Sequence, residues 1–271
     1  MERTAAAFSL PRIRFIRKRV TFLLSTFSVL LLVFAWWLVV RLHLVSPLFV
    51  PAPGAVWNAF ISTAGEPYRG HTLLVHVGIS LYRVIVAFIA ALVVSIPLGL
   101  AIGRYWWLDA LMQPLINFYR PLPPLAYYTL LVIWLGIGDA SKVALLFLAA
   151  IPALVINTAA GVHAVRREMV NAALSLGADK WQVFLHVIFP ATLPYVFTGI
   201  RIALAFTYTT LVAAELVAAT SGIGWMVLDA SRFLRSDIIF MGIIIMGVTG
   251  MVLDYIVVLL QHRFVPWLGK A

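Results

Sequence analysis

The chain has 271 residues, 63% of them hydrophobic and only 11% charged, with a mean hydropathy of +1.02. A soluble domain of that length could not hide so much apolar surface, so the sequence describes an integral membrane protein with no room for a sizeable soluble domain. The formal net charge of +10 does not point to nucleic acid, because the bases crowd into the N-terminus and a few loops, as the positive-inside rule requires, and form no single patch.

Taken in chain order, the hydropathy predicts six membrane spans. A basic N-terminal tail, residues 1–20, carries the run RIRFIRKR (12–19) and precedes a first span over 21–42. That span imitates a secretory signal, but it is long enough to cross a bilayer and no small-residue cleavage site follows, so it reads as a retained helix. An outer segment, 43–72, holds three prolines and then Val56, Trp57, Phe60 and Ile61 at helical spacing, which predicts a short helix lying at the membrane surface. A membrane core fills 73–262, with spans over 73–103, 115–135, 142–161, 193–220 and 238–261 and a short C-terminal tail at 263–271. Residues 221–237 read as a second interfacial helix. Most Lys and Arg fall in the N-terminal tail, the 104–120 connection, the 166–194 loop and the C-terminus, which places both termini and that loop in the cytoplasm.

Several features within the spans carry more information. Gly99 and Gly103 form a GxxxG pair beside Pro97, either a close helix contact or ordinary membrane packing. The cluster Tyr119-Arg120-Pro121-Leu122-Pro123-Pro124 is either a broken helix beside a translocation path or a turn just before the third span. Arg83, Arg201 and Glu215 lie within spans, where an ionisable side chain is costly and therefore a functional candidate. Thr198, Arg201, Ala205, Tyr208, Val212 and Glu215 recur at steps of three and four, giving one polar face that should meet protein or water. An Arg83–Glu215 ion pair is the bland reading; contact of the arginines with an anionic solute is the sharper one.

The sequence lacks a phosphate-binding G-x-x-x-x-G-K-[ST] loop, an H-E-x-x-H pair and a G-x-S-x-G nucleophile elbow. Its six histidines are scattered without metal-ligand spacing, and it has no cysteine. No catalytic residue, metal or cofactor is assigned to this chain.

One polar stretch stands out from the apolar background: RREMVNAALSLGADKWQVFLHVIFPATLP, residues 166–194. Helical segments flank Gly177, a residue suited to a helix stop. Asp179 and Gln182 have the spacing of a capping box, and Pro190 and Pro194 are expected to end the segment before the next apolar run.

Asn171-Ala172-Ala173, then Gly177, then Ile188 and Pro190 resemble the EAA loop of ABC-importer permeases, whose pattern is roughly EAA-x3-G-x9-I-x-LP. Asn171 replaces the glutamate and Phe189 the leucine. The segments YRPLPPLA (119–126), WLGIGDASK (134–142), SLGA (175–178), TGIRIAL (198–204) and LVAAELVAATSGIGWM (211–226) extend the likeness to permeases of the nitrate/sulfonate/taurine importers, most of all the taurine branch. The resemblance implies an all-α fold of six transmembrane helices, of the type I importer (MetI-like) kind, in a bacterial inner membrane. It also implies a second copy of the chain, two cytoplasmic ATPase subunits that hold ATP and Mg, and a solute-binding protein outside. Met169, Asn171, Ala172, Ala173, Gly177, Ala178, Asp179, Trp181, Ile188 and Pro190 are then expected to form the ATPase-coupling loop. Arg83, Tyr119, Pro123, Arg201, Tyr208 and Glu215 are candidates for the pathway or its gate. The solute expected is taurine or another sulfonate, with nitrate as an alternative. An ATP-independent secondary transporter is a weaker alternative, since only Glu215 and Asp254 could serve a proton relay.

Overall fold

A computed structural model describes residues 11–267, except for the side chains of 11–19, 22 and 218; the expected tails at 1–20 and 263–271 fall partly outside these bounds. The elements are helices: α1 (Pro11–Arg41), α2 (Pro53–Gly65), α3 (Leu73–Arg104), α4 (Trp106–Tyr119), α5 (Pro124–Leu135), α6 (Asp139–His163), α7 (Arg167–Ser175), α8 (Lys180–Val183), α9 (Phe189–Ala218), α10 (Ile223–Arg232) and α11 (Ser236–Phe264). Among the described residues, five helical stretches are long and apolar enough to cross a membrane: 23–41, α3, α6, the continuous run 180–217 and α11.

The expected third span is not one helix. It is split into α4 and α5, and α5 by itself rises only about 18 Å, short of a bilayer's hydrocarbon core. Leu122 and the prolines at 121, 123 and 124 occupy the break, where missing N–H groups and ring clashes prevent a continuous helix. The break lies on the exposed side of the bundle but well along its axis: the Tyr119 hydroxyl donates to the carbonyl of Leu148 at 3.2 Å, roughly 14 Å along α6 from Asp139. Tyr119, Arg120 and Pro123 therefore belong to a broken span, and the reading of this cluster as a turn ahead of the span is set aside.

A second correction concerns Pro190 and Pro194. They do not end the loop's helix; α8 runs through a π-helical turn at Phe184–Ile188 straight into α9. An unbroken α-helix would need an N–H at residue 190 to meet the carbonyl of His186, and proline has none. Bonding the Phe189 N–H back to Phe184, five residues earlier, widens the turn and admits the ring.

The core is built on α6, which packs α3 against one side and α9 against the other. Val84, Ala87 and Ala91 of α3, Leu146, Ala150 and Leu154 of α6, and Ala203 and Leu211 of α9 form its buried centre. Small residues set the spacing. A Cβ at Gly99 would lie 2.6 Å from Thr158 Cβ and 2.9 Å from the Val155 carbonyl, and one at Gly103 would lie 2.5 Å from Val162 Cβ. The GxxxG pair is thus a close backbone contact with α6.

By contrast, the apolar side chains of α1 are largely exposed, as suits a lipid-facing helix. Trp36 tethers it, donating from Nε1 to the Pro51 carbonyl at 3.0 Å and stacking on Phe240 at 5.8 Å.

One end of the bundle carries α2 and α10, and the other carries α7. At the α10 end, Ile223, Met226 and Ala230 are buried against Val56 and Ala59 of α2 and Ile238 and Met241 of α11. The two helices expected at the membrane surface are therefore also packed into the fold. Tyr68 fastens the loop ahead of α3, donating to Asp229 at 2.8 Å, while Arg69 pairs with the same carboxylate at 3.1 Å. Burial and the Asp229 bond push the Tyr68 phenol up to about 12.

Gly99→Ala is expected to lower thermal stability by about 1–3 kcal/mol, because backbone and a β-branched side chain block the new methyl. Gly78→Ala, on the same helix with nothing within 4 Å, should leave stability unchanged or raised. Thermal denaturation of the two detergent-solubilised variants checks the contrast.

Candidate coupling loop and intramembrane charge cluster

The polar stretch after α6 folds as a short helix, a left-handed stop and a second capped helix. Gly177 has φ +85°, a conformation that costs other residues a Cβ clash. The Ala178 N–H bonds back to Ala173 at 3.1 Å and the Gly177 N–H to Leu174 at 3.0 Å, the paired bonds of a Schellman stop. Asp179 then accepts from the N–H groups of Trp181 (2.7 Å) and Gln182 (2.8 Å), and the Gln182 side chain accepts from the Asp179 N–H at 3.0 Å. The capping box anticipated from spacing is present.

This scaffold sorts the loop residues into two sets. Ala173 and Ala178 turn inward with Val170, onto buried Val162, Val183 and Ile188. Ile188 is buried and Pro190 half-buried, so these four pack the loop onto the bundle. Asn171, Ala172, Gly177 and Asp179 are exposed. So are Met169, Leu174, Leu176 and Trp181, with Leu176 89% and Trp181 66% accessible. Large apolar side chains left exposed on a polar loop are a common mark of a binding surface.

At the opposite end, Arg83 of α3 is almost fully buried and meets two carboxylates. Its Nη1 lies 2.7 Å from Glu215 Oε1 and its Nη2 lies 2.7 Å from Asp139 Oδ1. Nη1 also donates to the Ser221 carbonyl at 2.8 Å. Glu215, 0% exposed, accepts from Ser80 Oγ (2.7 Å) and from the Gly224 N–H (2.8 Å). A Cβ at Gly222 would fall 2.3 Å from Glu215 Oε1, so glycine there lets the backbone close over the carboxylate. His76 Nδ1 accepts from the Gly222 N–H at 3.2 Å and its Nε2 faces the Tyr68 carbonyl at 3.2 Å, which assigns the neutral Nε2–H form. Lys142 is also buried and donates to the carbonyls of Ile137 and Gly138. Two cations and two carboxylates thus balance, and every partner needed to bury a charge is supplied within the cluster.

Sequence reading found Arg83 and Glu215 but missed most of their partners. His76, Ser80 and Arg83 follow one another at steps of four and three on α3, a polar stripe that could have been recognised. Asp139, Lys142 and the Gly222–Gly224 turn carry no comparable signal, because folding alone brings them in. The remaining candidates disperse. Arg201 forms a two-pronged pair with Asp254 at 2.8 and 2.9 Å, and Tyr208 bonds Thr249. Tyr119 and Tyr127 hydroxyls sit 2.8 Å apart, and Pro123 caps α5. The polar face of α9 is therefore not one surface: Arg201 and Ala205 are exposed, Tyr208 is half-buried and Glu215 is sealed.

Residues 95–268 match the family of binding-protein-dependent transport system inner membrane components. The chain belongs to it. Among its relatives is the taurine transport system permease protein TauC of Escherichia coli K12, 42% identical over 94% of this chain and 92% of TauC. The nitrate import permease protein NrtB of Synechocystis is 34% identical over 78% of this chain and 76% of its own length. The MetNI methionine ABC transporter, solved in an inward-facing conformation, matches 68% of this chain and 94% of the compared chain with a TM-score of 0.55 at 17% identity, a likeness of fold alone. The resemblance read from the loop and the flanking segments holds across nearly the whole sequence.

Arg83→Met should destabilise the permease by about 3–5 kcal/mol, since it strands a buried carboxylate. Adding Glu215→Leu should recover most of that loss, because half-exposed Asp139 can remain charged in contact with water. Melting curves of the single and double variants test the pairing.

Proposed function

We propose that the chain is the pathway-forming permease of an ATP-driven importer for a small organic anion, taurine or another sulfonate. The observation that carries the proposal is the capped helix–Gly–helix loop with its exposed Met169, Leu176 and Trp181, in a chain of this family. The α7 end faces the cytoplasm of a bacterial cell, as the distribution of Lys and Arg favours, and both termini lie on that side. Two copies of the chain pair, two cytoplasmic ATPases bind ATP and Mg, and an extracytoplasmic binding protein delivers the solute at the α10 end. No cofactor resides in this subunit.

In this reading α7 seats in a groove of the ATPase, and movement of that subunit passes through α8 into α9. Rigid-body transfer suits the loop, because its two stops leave little local slack. The α10 end closes and opens as a unit around the Arg83–Glu215 cluster, which links α3, α6, α9 and the loop before α10. Taurine as solute is supported by the relative TauC.

Met169→Glu combined with Leu176→Glu should leave the permease abundant in the membrane while lowering co-purified ATPase at least tenfold and abolishing uptake. Unimpaired uptake would sink the coupling assignment. For the solute, ATP hydrolysis by the reconstituted complex should rise with taurine or an alkanesulfonate; stimulation by nitrate alone would replace the sulfonate reading.

A further inference from the structure

An open-sided cavity of about 670 Å³ lies between α6 and α9, its walls mostly apolar (Ala149, Pro152, Phe206 among them), with Asn157, Thr209 and Arg120 from the α4–α5 break as its polar groups. Its volume falls within the range of small-ligand sites, roughly 300–1,000 Å³. Ala149 to Asn157 lie roughly 15–27 Å along α6 from Asp139, so the cavity runs from mid-helix to within about 9 Å of the other end at His163.

Arg120 is exposed along this cavity and differs from the two other arginines within the expected spans. Arg83 and Arg201 are each neutralised by carboxylates, whereas the Arg120 side chain makes no ion pair or hydrogen bond among the described residues. A lone guanidinium inside a bilayer costs about 3 kcal/mol even on insertion scales, so it persists where water or an anion offsets that cost. Two neutral groups complete the lining. The Asn157 amide nitrogen donates to Ala153 at 2.7 Å and Thr209 Oγ1 donates to Phe206 at 2.9 Å, so each keeps an oxygen able to accept. The N-terminal end of α5 adds partial positive charge in the same break.

We infer that this cavity is a membrane-embedded site for the solute's anionic group, with Arg120 gripping a sulfonate and Asn157 and Thr209 accepting from an amine at its other end. A guanidinium suits an anion of several oxygens because it offers parallel N–H donors, and such charge-assisted pairs are the strong ones. The inference rests on the sulfonate reading above, but it is tested separately from transport.

The chain has no cysteine, so Thr209→Cys creates a single reporter thiol on the cavity wall. In proteoliposomes holding the assembled importer, its reaction with a sulfonate-bearing methanethiosulfonate is compared with that of a trimethylammonium analogue, each normalised to a small thiol in solution. The anionic reagent should be favoured roughly tenfold, as one opposite charge nearby would produce at an effective dielectric between protein and water. Arg120→Gln should erase that preference, Arg120→Lys should keep part of it, and millimolar methanesulfonate should slow the anionic reagent only where Arg120 is present. A preference indifferent to Arg120→Gln overturns the inference. So does a thiol inert to both reagents, which would give the cavity wall to a second copy of the chain. A complex that labels as expected yet transports no sulfonate would refute the proposed solute and leave the anion site standing.

Discussion

The burial of Arg83 against Glu215 is the constraint that the α10 end depends on. A carboxylate with no exposure is tolerable only if its charge is balanced and its oxygens are satisfied. Here that requirement recruits a serine one turn earlier on α3, the glycine-rich turn after α9 and the first residue of α6. Four separate segments must arrive together for any of them to be stable there. The glycines at 222 and 224 follow from the same demand, because side chains at those positions would occupy the space that the carboxylate fills.

The middle of the bundle obeys a different rule. There is little polar chemistry between α3, α6 and α9, and contact is gained by bringing backbones close through Gly99, Gly103, Gly161 and Gly199. Such packing is rigid at the cost of adaptability, so shape change has to concentrate elsewhere. The broken third span is where helical continuity gives way, whereas the π turn before α9 widens the helix without interrupting it. Prolines stand at both, at 121, 123 and 124 and at 190.

Much of this was legible in the chain itself. Hydropathy placed α3, α6 and α11 to within three residues, since long apolar runs leave few alternatives, whereas α1 starts ten residues before the expected span and the helix of the fifth span already starts at 180. Gly177 and the Asp179–Gln182 pair revealed the loop because their signals are local: a backbone angle and a three-residue spacing. What escaped was non-local or ambiguous in sign. Pro190 reads as a helix stop unless one foresees a widened turn. Arg120 was counted among loop charges because the depth of the 119–124 break depends on where Tyr119 meets α6, a contact between residues 29 apart. Likewise, nothing near Arg201 in sequence announces that Asp254 neutralises it.

The continuity of α8, the π turn and α9 has a mechanical consequence. Residues 180–217 form one helical stretch of 38 residues, a rod about 57 Å long. One end holds the exposed loop and the other holds Glu215. A rod of that length converts a tilt of about 5° at its base into about 5 Å of travel at its tip, more than a buried ion pair can stretch before it parts. A tilt of that size at the loop end would therefore be enough to part the Arg83–Glu215 pair at the other.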